Sequence, residues 1–422
     1  MQKVSAPLKW LIIVAAALLA AVLGACGILT YAYNKADVIP PVLEAPTLNG
    51  TPLSFESSTW TQYVCFGLKE KSLSQMADGI TAVISAQVGD TLQLTAPSGY
   101  TVNYSIKMEG ETTAEGSYKS IELTQVGSGF FSVTLTKQKS DKQPYGSFPY
   151  IAALEIAAKP EIKFSATECT QGQVIAVTVR NTDVQPAIET ALKAEPFELY
   201  GDVWKTLLGF TYNHETGEYP VTVTVDENTT KSEVIKVTDG TFSKQYMTMS
   251  SETTDATMNV PGAAQQWRDK IWPLYETADD EIYWSGQFIW PVDGRQINTE
   301  YGLFRYVNGV YSERHAGLDI DGDTGDSVYA PANGRVVLAE YLHYTGNTIV
   351  IEHGGGLKSF LYHMDELSVN EGDMVTQGQI IGKVGTTGYS TGAHMHYEVR
   401  IANQSISPLD VLDGTSGIYF TA

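Results

Sequence analysis

Along the chain, hydrophobic and polar positions change pattern several times, beginning with an unbroken apolar run. From Trp10 to Tyr33 the sequence WLIIVAAALLAAVLGACGILTYAY carries no charge. At 1.5 Å per residue, a helix of this length exceeds the roughly 20 residues that cross a bilayer. Lys3 and Lys9 precede it with no acidic neighbour. The positive-inside tendency therefore makes residues 1–34 a cytoplasmic tip and transmembrane anchor, and sends the remainder outside. A second reading stays open. Leu23-Gly24-Ala25-Cys26 resembles a bacterial lipobox, in which case the run is a cleaved signal and Cys26 carries the lipid. Both readings place the protein on a membrane.

Beyond a proline-containing stalk, ADVIPPVLEAP, the period falls to two. Phe130–Thr136 (FFSVTLT), Gln173–Val179 (QVIAVTV) and Tyr219–Val225 (YPVTVTV) alternate apolar residues with Thr, Ser or Gln, the signature of half-buried strands. Turn residues such as Pro97-Ser98-Gly99 and Asp239-Gly240 separate the runs, and no long amphipathic helix interrupts them. The expected fold is mainly β. It comprises an N-terminal transmembrane helix, a β-sandwich-like domain over 46–158, an Ig-like β domain over 160–247, and a C-terminal antiparallel β domain over 286–412. Between the last two, 250–285 reads as a linker that packs, because AAQQWRDKIWPLYETADD carries one short helical pattern.

Composition narrows the function. With 27 Lys plus Arg against 48 Asp plus Glu, the formal charge is −21. Such a field repels phosphate backbones, so no nucleic-acid partner is expected. Cys26, Cys65 and Cys169 share no short metal-ligand spacing, so a metal needs other ligands and free thiols are the expectation.

Those other ligands are crowded at the C-terminus. Of His214, His315, His343, His353, His363, His394 and His396, all but the first lie from position 315 onward. In His394-Met395-His396-Tyr397-Glu398-Val399-Arg400-Ile401 the alternation puts His394, His396, Glu398 and Arg400 on one, expected wet, face of a strand. His315 and Asp319, four apart around Gly317, form a second pair. Two imidazoles and one carboxylate leave a coordination position open, as catalytic zinc requires, and such a site suits amide hydrolysis. His214 and His343 read as solvated surface residues. His353, after the apolar Thr348–Ile351 run, reads as structural.

These residues carry a resemblance. H-x-x-x-D at His315 and Asp319, H-x-H at His394 and His396, and between them GDMVTQGQIIG (372–382) and GTTGYSTG (385–392) resemble the lysostaphin-type, or M23, zinc metallopeptidases. The resemblance implies one zinc ion bound by His315, Asp319 and His396, with His363 and His394 as the catalytic pair. It implies peptidoglycan peptides as substrate, and hence a membrane-anchored extracytoplasmic endopeptidase. The alternatives are a relative that binds the cell wall or activates another hydrolase without cutting, and a lipoyl-type carrier barrel, which lacks a lysine at its hairpin tip. One departure from the family pattern stands out. Leu361, not tyrosine, sits two residues before His363.

Overall fold

The computed structural model describes residues 6–77, 79–117, 120–248 and 260–421. Lys3 and positions 250–259 of the expected linker lie outside them. The protein is mainly β with one N-terminal apolar helix, and it divides into two units, 1–159 and 160–422.

In the first unit, helix α1 (Ala6–Lys35) contains the 26-residue apolar stretch Trp10–Lys35. An eight-stranded sheet and a four-stranded sheet follow. Their alternating residues, including Phe131, Val133, Leu135, Phe148 and Tyr150, meet in one core. Four strands are named for later use: β1 (Ser57–Val64), β2 (Lys69–Met76), β3 (Gly127–Lys137) and β4 (Tyr145–Ala157). The stalk is not a free tether, because Val38, Leu43 and Ala45 pack against this core. Its apolar residues find less water there than in an extended spacer.

The second unit opens with two four-stranded sheets around Ile175, Val177, Phe210, Val223 and Ile235. Strand β5 (Val174–Arg180) holds the QVIAVTV stretch expected to be half-buried, yet six of its seven residues are buried. The alternation is correct, but the second face is covered too. Val174 and Ala176, with Leu207 from β6 (Val203–Gly209), belong to the core of the C-terminal domain. Thr211 Oγ1 meets Ser405 Oγ at 2.9 Å, and the Tyr301 hydroxyl donates to the Ser405 carbonyl at 2.7 Å. Strands β5 and β6 and the C-terminal sheet therefore share one hydrophobic interior.

Strand β7 (Lys244–Met247), helices α2 (Ala263–Lys270) and α3 (Trp272–Glu276), and β8 (Ile297–Thr299) lead into the C-terminal domain. β7 pairs in parallel with β9 (Phe304–Val307), which pairs with β10 (Val310–Arg314). The main sheet runs β8, β11 (Leu318–Asp321), β15 (His394–Ile401), β14 (Leu357–Met364), β13 (Gly346–Gly354) and β12 (Gly334–Leu342), edged by Met374–Val375. The strand Gln404–Ile406 joins β15. Every residue of β14 is buried, because α2 and α3 cover one face. There Ile271 joins Leu338, Val350, Phe360 and Tyr362 in a second core, with Trp267 and Tyr275 packed against it.

That cover corrects the expected wet face of His394–Arg400. His396 and Glu398 are buried, Arg400 lies 4.4 Å from the centroid of the Tyr275 ring, and Arg400 Nε donates to Glu398 Oε1. The face is polar but enclosed. His214 departs from expectation in the same way. Its ring packs edge-on against Phe210 and Tyr219 at 5.2 and 5.3 Å, and burial lowers its pKa.

Candidate metal centre

Three sequence-distant side chains meet because the sheet aligns them. Antiparallel pairing of β11 with β15 puts Asp319 directly opposite His396 and Asp321 opposite His394. Cross-strand partners on one face have Cβ atoms about 5 Å apart. His315, in the turn before β11, is held by backbone bonds on both sides. Its amide donates to Leu303, and its carbonyl accepts from Gly302. Gly317, on the tight path from His315 to Asp319, lies against the Tyr397 backbone, where an added Cβ would come within 2.4 Å of a carbonyl oxygen and 2.9 Å of His396 Nε2.

His315 Nε2, Asp319 Oδ1 and His396 Nδ1 form a triangle with edges of 2.9, 3.0 and 3.0 Å. All three residues are buried. His315 Nδ1 lies 3.0 Å from the Glu300 carbonyl, which can only accept, so the proton of the neutral ring sits there and Nε2 is bare. A bare nitrogen then faces a carboxylate oxygen at 2.9 Å. Moving the His396 proton between its nitrogens does not relieve that contact. A cation among three acceptor atoms does, and the spacing lets one ion reach all three at the roughly 2.0–2.2 Å of zinc bonds to nitrogen and oxygen. The donor set fits the expected metal.

Burial alone would raise the Asp319 pKa, but His315 and His396 prevail and hold it well below the usual carboxylate range. Burial lowers His396 despite its Asp319 contact, favouring the neutral imidazole that binds metal. Arg305, on β9, places Nη2 3.4 Å from Asp319 Oδ2. It also donates to Glu313 at 3.1 Å and to Gln245 of β7 at 3.2 Å. Tyr362 is stacked on the His396 ring at 4.9 Å and 8°, and its hydroxyl donates to Glu398 Oε2 at 3.4 Å.

His363 and His394 flank the triangle with ring centroids 4.9 Å apart. His363, one residue before the end of β14, lies in the left-handed region, φ 63°, a conformation that costs a β-substituted residue of order 1–3 kcal/mol and that clusters at functional sites. Its Nδ1 donates to the Thr387 carbonyl at 2.8 Å, leaving Nε2 bare. Burial first, then the neighbouring imidazoles of His394 and His396, push its pKa down to about 3. His394 Nδ1 donates to the Gly392 carbonyl at 2.8 Å, and its Nε2 lies 3.5 Å from Asp319 Oδ1. Leu361 points into the hydrophobic core, away from the cleft.

All five expected site residues therefore line one cleft of about 690 Å³, together with Trp267, Arg305 and Gln245. These three were missed. Arg305 and Gln245 sit in short strands with no motif, and Trp267 reads as the apolar side of a minor helix. His353 is placed apart. It is fully buried, with Nδ1 2.7 Å from the Asn333 carbonyl and Nε2 2.8 Å from Ser359 Oγ.

The fold and site define a mainly β protein whose last domain is built around a His–Asp–His centre with two further imidazoles beside it. Residues 313–408 match Peptidase family M23, and the C-terminal part of the chain is an M23 peptidase domain. It is 36% identical over 95 residues to the peptidoglycan DD-endopeptidase ShyB of Vibrio cholerae serotype O1, covering 22% of this chain and 22% of that one. It is also 36% identical over 124 residues to the murein hydrolase activator NlpD of Escherichia coli K12, covering 29% and 30%. Among solved structures, the catalytic domain of the antimicrobial peptidase lysostaphin from Staphylococcus simulans is 30% identical, with 28% of this chain and 92% of that one covered and a TM-score of 0.26. The chain spans less than a third of the length of either curated relative.

Proposed function

We propose that the protein is a membrane-anchored zinc endopeptidase whose extracytoplasmic C-terminal domain hydrolyses peptide bonds of peptidoglycan. The observation that carries this reading is the triangle of ligand atoms at His315, Asp319 and His396, in which the bare His315 Nε2 faces the Asp319 carboxylate, with two more bare imidazole nitrogens facing the same cleft. The name of the endopeptidase relative points to the substrate class. A zinc ion bound there supplies Lewis acidity toward a scissile carbonyl and acidifies a water. Everything else falls to side chains of this chain. His363 and His394 are fixed by their Nδ1 bonds to the Thr387 and Gly392 carbonyls, so each aims Nε2 inward with little freedom to turn. One takes a proton from the attacking water at its bare Nε2 and, as the N–H donor so formed, stabilises the oxyanion and returns the proton to the leaving amine; the other holds the water in place by accepting its hydrogen bond.

A hydrolase-activator role is the second reading, favoured by the likeness to NlpD. Purified protein assayed for zinc content and for turbidity clearing of isolated cell walls separates the two. The endopeptidase reading expects stoichiometric zinc and clearing. Zinc without clearing favours the activator. His363→Ala or His394→Ala should abolish clearing with metal largely kept, because neither is needed to close the triangle. Asp319→Ala should lose metal and clearing together, and stoichiometric zinc in that variant contradicts the ligand set. For the anchor, intact mass distinguishes an uncleaved helix α1 from a chain acylated at Cys26.

A further inference from the structure

The β1–β2 hairpin exposes apolar residues where a soluble domain normally places polar ones. At its tip, Cys65, Phe66 and Gly67 all adopt left-handed backbone (φ 54°, 60° and 83°), and this tight turn throws Phe66 and Leu68 outward. They are 89% and 69% exposed. No apolar neighbour covers them, and a protein gains nothing by showing such groups to water.

The hairpin also lies against α1. In the last turns of that helix Leu29, Ala32 and Tyr33, and just beyond it Ala36, are half-buried while their neighbours are exposed, a one-sided stripe at helical spacing. The Cys65 thiol donates to the Leu29 carbonyl at 3.3 Å. Lys71 Nζ donates to the Tyr33 and Ala36 carbonyls at 3.1 and 2.6 Å, satisfying acceptors that a helix C-terminus leaves open. The tip therefore reaches back to the level of Leu29. The apolar stretch has 26 residues, about 39 Å of helix against about 30 Å of hydrocarbon. Centred in a bilayer, Leu29 falls a few ångströms inside the hydrocarbon boundary, and the tip falls with it.

Charge around the tip suits a lipid surface. Lys35 ends α1, and Lys69 and Lys71 stand 5.5 and 5.4 Å from the Tyr33 ring centroid. In the β3–β4 turn, the Lys142 side chain lies beside Gly67, where an added Cβ would meet it at 3.5 Å, and Lys139 pairs with Glu70 at 2.7 Å. Against these five lysines stand Asp37, Glu70 and Asp141, a local excess of positive charge in a chain of net −21. Lysines behind an apolar tip can lay their stems along hydrocarbon and raise their ammonium groups to lipid phosphates.

We infer that the β1–β2 hairpin is a second membrane contact, inserting Phe66 and Leu68 into the outer leaflet beside α1 while its lysines engage anionic headgroups. This rests on the proposed membrane anchorage. Two contacts, helix and hairpin, fix the angle at which the first β module leaves the bilayer, which a single helix does not.

Full-length protein in phosphatidylglycerol-containing vesicles doped with a lipid carrying a diazirine on its acyl chain tests the inference. Trypsin cuts after Lys9, Lys35 and Lys69, so helix (10–35) and hairpin tip (36–69) fall in separate peptides. Adducts are expected on both, localised in the second to 65–68. Phe66→Asp combined with Leu68→Asp should cut labelling of 36–69 by about tenfold and leave that of 10–35 unchanged. Helix labelling without tip labelling overturns the hairpin contact and leaves the anchor standing. Absence of both overturns the anchor itself. In phosphatidylcholine vesicles tip labelling should fall, and equal labelling in the two lipids overturns the role given to the lysines.

Discussion

The C-terminal sheet buries two polar clusters on neighbouring strands, and they are built by opposite rules. On β13 and β14, Glu352, His353, Lys358 and Ser359 are buried completely or nearly so. Lys358 Nζ meets Glu352 Oε2 at 2.6 Å and donates to the Thr277 carbonyl, Glu352 accepts from the Gly354 amide, and both nitrogens of His353 are bonded. Every donor there has its acceptor. On β11, β14 and β15, His315, Asp319, His363, His394 and His396 are as crowded, but bare acceptors face one another. Burial of histidine and of carboxylate is thus common to both and distinguishes nothing. The state of the hydrogen-bond ledger does: a closed network is architecture, and converging unsatisfied acceptors are a place for a cation.

The closed cluster should be the more costly to break by stability. Lys358→Met leaves the Glu352 carboxylate buried without its partner, and breaking a buried pair from one side costs about 3–5 kcal/mol. Urea unfolding at pH 7 reads this as a lower midpoint at unchanged slope. Adding Glu352→Leu removes the orphaned charge and should recover most of the loss. If Lys358→Met alone costs under about 1 kcal/mol, well below the expected range, the cluster is not closed as described.

His353 gives a second, pH-dependent measure of the same closure. Burial depresses its pKa from 6.5 to about 4, so between those values the unfolded chain binds a proton that the folded one refuses. Its contribution is complete above pH 6.5 and is lost as pH falls toward 4, about 3 kcal/mol in all. Comparing urea midpoints at pH 7 and pH 4.5 for wild type and His353→Gln isolates it from the carboxylates that titrate in the same range. The variant should lose less stability on acidification than wild type. An equal loss places the titration elsewhere.

What the sequence reveals of this contrast follows from which forces act locally. Period two in QVIAVTV and HMHYEVRI places side chains on alternate faces, and the sheet respects that at both strands. It does not say what covers each face. Val174 and Ala176 are buried by a domain over a hundred residues away, and Glu398 and Arg400 by Tyr275 and Tyr362, so exposure was misjudged where the cover is distant in sequence. His315, Asp319, His394 and His396 stand out because pairs of them are close along the chain. His363 enters only through family resemblance, since its left-handed backbone is imposed by hydrogen bonds to Thr345 and Thr387 and leaves no local signature. Val38, Leu43 and Ala45 looked like part of a stalk because proline spacing resembles a linker whether or not a hydrophobic surface lies beneath.

The smallest expected effect sharpens the comparison from the open side. Asp319 is not wholly unpaired, since Arg305 holds Oδ2 and frees Oδ1 for the triangle, and Gln245 of β7 steadies Arg305 in turn. Arg305 lies outside the span matched to the M23 family, so this brace is supplied by the chain that precedes the domain. Its role is positioning, and residues that orient metal ligands from behind typically govern about ten- to hundredfold in metal affinity. Arg305→Met keeps the stem but removes the guanidinium. Competition with a chromophoric chelator should then show zinc affinity lower by about tenfold or more, with Gln245→Ala shifting it in the same direction by less. Arg305→Lys restores charge without the planar fork that reaches Glu313 and Asp319 together, and should recover only part of the loss. Unchanged zinc affinity in Arg305→Met would mean that the triangle holds its shape unaided, and that the open cluster, like the closed one, is fixed by its own strands alone.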